Sequence, residues 1–256
     1  MEAAGARATG QATQQVEGAD PNNISTGTLD CVTSGMTKRE ILLAISAVVS
    51  GAFVSHAEES LRSVDPNDGW KFATKSNDVT IYSRVRAGSP LKEFKAVGGI
   101  DAPSGAVHAV IDDFENYPGF MPYTVECRLI KRETDSIVGY QRLSPKICED
   151  RDYTLRVWKK SWPTTDGLVY LDRWASANEL GPPEKKGVVR LKACDGGWLL
   201  EPNGANKTRA TYSIYTDTRG AIPAFIVNRA SQIGIGKLFA AVRKQVKNPK
   251  YAADQL

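Results

Sequence analysis

From residue 125 to residue 217 the chain is almost entirely short alternating segments separated by turn clusters, and it then passes into one long helix opened by a proline. Period-two alternation marks strands with one face buried, and the segments 125–131, 137–143, 151–160, 167–176, 187–193, 198–201 and 208–217 all read this way. Clusters such as Pro163-Thr164-Thr165-Asp166-Gly167 and Pro202-Asn203-Gly204 separate them. Upstream, 79–85 and 91–100 read as a hairpin across Ala87-Gly88-Ser89-Pro90. Pro103 then opens a helix whose Val107, Val110, Ile111 and Phe114 share one face, ending near Tyr117-Pro118-Gly119. Two strands, a helix, a run of antiparallel strands and a final helix predict an α+β fold, with the sheet curled around the last helix. No repeat and no domain linker interrupts it.

The junction Thr216 to Arg229 sets the last helix. Gly220 supplies a turn, and Pro223 suits a helix start because the first turn has no internal use for its N–H. In the first half Phe225, Ile226, Ala230 and Ile233 group together, and in the second half Leu238, Phe239, Val242 and Val246 do. At 100° per residue the two groups are out of phase. The slip falls at Gly234-Ile235-Gly236, where two interior glycines would each cost about 1 kcal/mol relative to alanine. A kink is predicted there, with a moving lid as the alternative.

The N-terminal part has a different character. Residues 1–35 are rich in Ala, Gly, Thr, Gln and Asn without apolar periodicity, and so are expected to be disordered. Lys38-Arg39, the apolar run 41–54 and Ser55-His56-Ala57 are the basic, hydrophobic and small-residue parts of a signal peptide. The apolar run is shorter than the roughly 20 residues a spanning helix needs. We expect a signal peptide over 36–57, cleavage after Ala57, and a periplasmic or secreted product spanning 58–256. A retained N-terminal anchor is the alternative. Because Met36 stands where a signal peptide should begin, residues 1–35 are read as an over-extended start.

Composition excludes more than it suggests. With 41% hydrophobic and 24% charged residues the chain is ordinary and globular. Its net charge of +4 includes no Lys/Arg block dense enough for nucleic acid. Beyond residue 57 it keeps Cys127, Cys148 and Cys194, without a CxxC or metal-ligand spacing, so at least one is unpaired in a monomer. No metal and no cofactor is expected. The remaining histidine, His108, falls away from the packed face of its helix, with no evident nucleophile or orienting carboxylate, and is expected to be exposed. No catalytic residue is assigned.

Several blocks carry a family resemblance over roughly residues 70–246: Tyr117-Pro118-Gly119-Phe120-Met121-Pro122 with Glu126 following, Asp150-Arg151-Asp152-Tyr153, Pro183 to Arg190, Trp198-Leu199-Leu200-Glu201-Pro202, and Asp217 to Pro223. In order and spacing these resemble the START lipid-transfer domain family, as an exported single-domain bacterial member. The resemblance implies a helix-grip fold with a tunnel between the concave sheet face and the C-terminal helix, holding one lipid or other apolar molecule. Apolar walls with few fixed polar groups suit such a site. Candidate walls are Met121, Leu155, Val157, Val169, Leu191, Tyr212, Phe225, Ile226 and Ile233, with core packing as the competing reading of each. Some family members carry a buried acid and arginine in the tunnel. Glu126 lies where the acid would be, but Arg156 stands one residue short of the spacing in animal members. One residue reverses a strand's face, so Arg151 and Arg190 stay open as alternatives.

The function this implies is non-catalytic: binding, and in the fuller reading transfer, of an apolar ligand by a monomer that contacts membranes transiently. The alternatives are a cyclase-type helix-grip enzyme and a ligand-free interaction domain of the cell envelope.

Overall fold

A computed structural model of the protein describes residues 58–145, 148–218 and 222–252. The predicted signal peptide, the segment before it and Gly220 lie outside these residues. After a helical turn at 58–62 come β1 (Lys71–Ser76), β2 (Val79–Val85), β3 (Lys92–Ile100) and helix α1 (Ser104–Asp112). A 3-10 stretch, Phe114–Gly119, leads into β4 (Thr124–Arg132), β5 (Ser136–Leu143), β6 (Asp150–Thr164) and β7 (Gly167–Ser176). The chain then forms β8 (Val188–Arg190), β9 (Ala193–Pro202), β10 (Thr208–Asp217) and helix α2 (Ala224–Gln245). The strands form one curved sheet in the order β1-β2-β3-β10-β9-β7-β6-β5-β4, antiparallel except where β8 pairs with the start of β6. This is the predicted α+β helix-grip architecture.

Alternation explains why the strands could be read. In β2, Val79 and Ile81 are buried while Thr80 and Tyr82 are not fully so. They join Phe94, Ala96, Val107, Val110, Trp198, Leu200, Phe239 and Val242 in the main core. β1 escaped the reading because Lys71–Ser76 buries none of its residues and so shows no alternation. The segment read as one strand over 187–193 is two, because β8 ends at Arg190 and β9 begins at Ala193. The helix after Pro103 stops at Asp112, and Phe114 belongs to the 3-10 stretch.

Helix α2 corrects the expected phase slip. It is one helix across Gly234-Ile235-Gly236, and its buried residues Val227, Ile235, Phe239 and Val242 make one continuous stripe. Phe225, Ile226 and Ile233 fall outside that stripe, which is why they created a false phase slip. The C-terminal half is the seated half. Phe239 and Val242 are fully buried, and Gly98 on β3 lets the helix close, since a Cβ there would lie 3.0 Å from the Phe239 ring and 3.2 Å from the Asp78 carbonyl. Arg243 donates from Nε and Nη2 to the Gly99 carbonyl, at 3.0 and 2.8 Å, and from Nη1 to the Asn77 carbonyl. Asn77 and Asp78 form the β1–β2 turn with φ of 48° and 54°, a left-handed pair for which these residue types are suited.

On the outer face, Lys95 is buried with its cation 4.3 Å from the centre of the Trp70 ring, donating to the Ser60 and Ser63 carbonyls. Burial, aided by Arg84 and opposed by Glu93 and Asp68, lowers its pKa from 10.5 to about 8. An unfolded chain therefore keeps between these values a proton that the folded chain has released, so this site adds stability as pH rises through the window. Comparing denaturant unfolding of the wild type and Lys95→Met at about pH 7 and about pH 9.5 should show the wild type gaining on the variant at the higher pH. A gap that does not change would contradict the burial assigned to Lys95. In α2, Gly236 faces open space, and Gly236→Ala should raise the unfolding free energy by about 0.5–1 kcal/mol in urea melts; a loss would indicate a break in the helix.

Candidate ligand-binding cavity

Between the concave face of the sheet and the first half of α2 lies a cavity of about 280 Å3. Strand parity decides what reaches it. β6 contributes Tyr153, Leu155, Val157 and Lys159, β7 contributes Asp172 and Trp174, and β10 contributes Tyr212, Ile214 and Thr216. Helix α2 supplies Val227, Asn228, Ser231, Gly234, Ile235 and Leu238, and the segment after α1 supplies Phe114, Tyr117 and Met121. Aromatic walls are tied together: Trp174 and Trp198 stand 5.8 and 4.6 Å from the Tyr212 ring. Burial pushes the Tyr212 hydroxyl well above its ordinary pKa and raises the Cys127 and Cys194 thiols to about 12. Among the described residues Cys127, Cys148 and Cys194 are free thiols, and Cys127 and Cys194 are buried.

Of the predicted walls, the structure brings Met121, Leu155, Val157 and Tyr212 to the cavity. Leu191 packs just behind it with Tyr153, Leu155 and Cys194. Val169 points the other way, into a cluster with Leu61, Leu171 and Leu199 on the outer face. Phe225, Ile226 and Ile233 are 73%, 39% and 47% exposed, and their places on the cavity are taken by Val227 and Ile235.

None of the predicted polar residues lines the cavity. Glu126 pairs with Arg142 at 3.2 Å and Arg128 at 3.0 Å, and Arg156 pairs with Glu133 at 2.7 Å. A register shift between Thr124 and Glu126 sets Glu126 opposite Arg142, on the face away from Gln141. Arg156 alternates with Leu155 and Val157 and so lies on the face away from the cavity, as Glu126 does. Arg190 is the direct partner of Asp152. Its Nε donates to Oδ1 at 2.6 Å and its Nη2 to Oδ2 at 3.0 Å, while the Tyr140 hydroxyl donates to Oδ2 at 3.1 Å. That buried network is structural, pinning the 177–190 connection to β6 through a further bond from Arg190 to the Pro182 carbonyl. Arg151 is buried and donates to the Glu149 carbonyl.

The charges that line the cavity are Lys92 from β3, Lys159, Asp172 and, from α1, Asp112. The sequence reading missed them, although Lys159 shares the parity of Leu155 and Val157, two residues it took as walls. It also misjudged His108. Its side chain is only 19% exposed, stacked on Tyr170 with centroids 4.2 Å apart, and its Nε2 is 3.4 Å from Asp172 Oδ1. On the opposite face a broader furrow of about 1160 Å3 is lined by Arg84, Arg86, Glu93, Lys160 and Arg173. Its charged lining makes it the weaker site for an apolar ligand, although it is larger.

Because Arg190 holds a buried partner, Arg190→Met should destabilise the fold by about 3 kcal/mol, and adding Asp152→Asn should recover part of that loss by removing the stranded charge. Urea melts of the single and double variants check this; a neutral Arg190→Met would mean that the pair is not the buried tie described.

The arrangement also has known counterparts. Residues 100–243 match the family model described as polyketide cyclase / dehydrase and lipid transport. An uncharacterized protein of Pseudomonas aeruginosa is 28% identical over 63% of this chain and 78% of its own length. Mouse phosphatidylcholine transfer protein is 24% identical over 70% of this chain and 84% of its own length. The crystal structure of a STAR-related lipid transfer protein from Xanthomonas axonopodis, 25% identical, superposes with a TM-score of 0.63 over 71% of this chain and all of that one. With more than half of its length inside the family model and a cavity enclosed by the same sheet-and-helix fold, the chain belongs to the START-like polyketide cyclase/dehydrase and lipid-transport family.

Proposed function

We propose that the protein takes a lipid or lipid-like molecule into the cavity under α2 and carries it between membranes. The observation that carries this reading is the division of α2. Its buried side roofs an apolar cavity, while Phe225, Ile226 and Ile233 stay exposed directly above it. Exposed apolar groups beside Arg229 and Lys237 suit a bilayer surface, where apolar side chains enter the interface and cations meet lipid phosphates. Where it covers the cavity, α2 is lightly held at its sides. The Lys92 N–H donates to Asn228 Oδ1 at 3.0 Å, and Lys237 Nζ donates to the Tyr123 hydroxyl at 2.7 Å, both exposed. Exchanging these two bonds for membrane contacts would open the roof while the Phe239–Arg243 half stays seated.

Shielding an acyl chain is worth about 0.8 kcal/mol per methylene, so apolar burial alone supplies useful affinity. In the closed form about 280 Å3 is at the small end for ligand sites. One chain or a compact ring system fits that size, and a two-chain lipid requires α2 to move. Likeness to lipid-transfer relatives supports the ligand class. We further propose that carriage takes place after export, with the 36–57 segment as the signal peptide.

Mass spectrometry of the solvent extract of the purified protein, set against a mock purification, tests the binding half. A stoichiometric apolar molecule is expected, and an empty extract that stays empty after incubation with total lipid would refute it. For the transfer half, the triple variant Phe225→Ser, Ile226→Ser and Ile233→Ser should slow vesicle-to-vesicle transfer of a fluorescent lipid by roughly tenfold or more while the extract is unchanged. An unaltered rate would remove α2 as the membrane contact.

A further inference from the structure

Lys159 and Asp172 are direct cross-strand partners on the cavity face of β6 and β7. Side by side, two opposite charges would be expected to pair with each other. Instead Lys159 Nζ turns to Asp112 at the end of α1. Burial lowers the Lys159 pKa, with Asp172 acting in the opposite direction. Asp172 itself is left with a side chain only 4% exposed, and among the described residues its Oδ1 receives no hydrogen bond. His108 Nε2 stands 3.4 Å away, within ion-pair distance but making no hydrogen bond to it, its ring stacked on Tyr170.

A buried carboxylate oxygen without a donor is costly and rare. This one belongs to a residue that lines the apolar cavity together with Tyr117, Trp174 and Leu155. Such a placement is a cost to the empty protein and becomes useful when a ligand supplies the proton donor. Resting on the carrier reading, we infer that Asp172 Oδ1, flanked by His108 and Lys159, is the head-group site of the cavity. It takes a hydrogen-bond donor, a hydroxyl or an ammonium, at the end of an apolar body. An anionic head is disfavoured on the same geometry: Asp112 already occupies Lys159, and an incoming carboxylate or phosphate would meet the Asp172 charge in a poorly hydrated space.

Trp174 and Trp198 line the cavity, so intrinsic fluorescence reports occupancy whatever the head group. Full-length protein is titrated with dodecanol, dodecylamine, dodecyl methyl ether and dodecanoate. The alcohol and the amine should bind roughly tenfold to a hundredfold more tightly than the ether, which keeps the oxygen but lacks the donor. Dodecanoate should be weaker than either. The order of amine and alcohol then says whether an ammonium or a hydroxyl is the natural partner. Asp172→Leu should erase the preference by weakening the alcohol and the amine while the ether holds or improves. Should that variant fail to fold, Asp172→Asn keeps an acceptor without the charge, and the ratio of amine to alcohol affinity should fall. Equal binding of alcohol and ether by the wild type would overturn the head-group site and leave the carrier reading standing. So would tightest binding of dodecanoate, or a preference that survives in both variants. Failure of all four probes to bind would overturn the carrier reading and this inference with it.

Discussion

The seat of α2 on the far edge of the sheet governs the rest of the molecule. Phe239 and Val242 are driven into the core against Val79, Ala96 and Trp198, and Arg243 holds the carbonyls of Asn77 and Gly99. Gly98 permits the close approach, since any side chain there would meet Phe239 and the Asp78 carbonyl. With one end fixed so tightly, the direction of the helix is set, and its first half must pass over the part of the sheet formed by β6, β7, β9 and β10. The sheet curves away beneath it. Val227 and Ile235 cannot reach the floor formed by Leu155, Val157 and Tyr212, and the space between is the cavity. A tight half and a loose half of one helix are thus consequences of a single packing contact.

Period-two sorting supplies the second constraint. Along β6 it sends Tyr153, Leu155, Val157 and Lys159 inward and Asp152, Thr154, Arg156 and Trp158 outward. The outward set meets Glu133, Arg190 and Tyr140, so the outer face carries ion pairs that a water-facing surface tolerates cheaply, together with one buried pair that the fold cannot lose cheaply. Arg156 and Val157 differ by one position and by everything in environment. A shift of one residue in this strand is therefore a change of face, and no bulge interrupts its register with β5.

Much of the architecture was legible for the same reason. β2 alternates cleanly, and the sequence-derived limits of β2, β7 and β10 coincide with the observed Val79–Val85, Gly167–Ser176 and Thr208–Asp217. Legibility failed wherever both sides of an element carry apolar residues. Val169 and Leu171 look inward by hydrophobicity, yet Leu61, Leu199 and Trp162 cover them on the outer face while Asp172 and Trp174 take the cavity side. In α2 the largest apolar residues of the first half, Phe225 and Ile226, are the exposed ones, because burial there is decided by the seat at Phe239 and not by the local pattern. His108 fails differently: one helix phase cannot show that α1 is packed on its flank by Tyr170 as well as on its main face.

These misreadings fall together around the cavity, and this has a physical reason. A sequence that only had to fold would close the cavity with a bulky residue at Gly234, pair Lys159 with Asp172, and turn Phe225 inward. Each choice would agree with local preference and with the global fold. The chain instead keeps a glycine where a side chain would occupy the cavity, leaves a carboxylate oxygen without a donor, and exposes a phenylalanine. One departure could be accidental packing. Three around one space, involving its roof, its polar end and its outer surface, are coherent if the space is filled by a molecule that enters from an apolar phase and carries its own hydrogen bond.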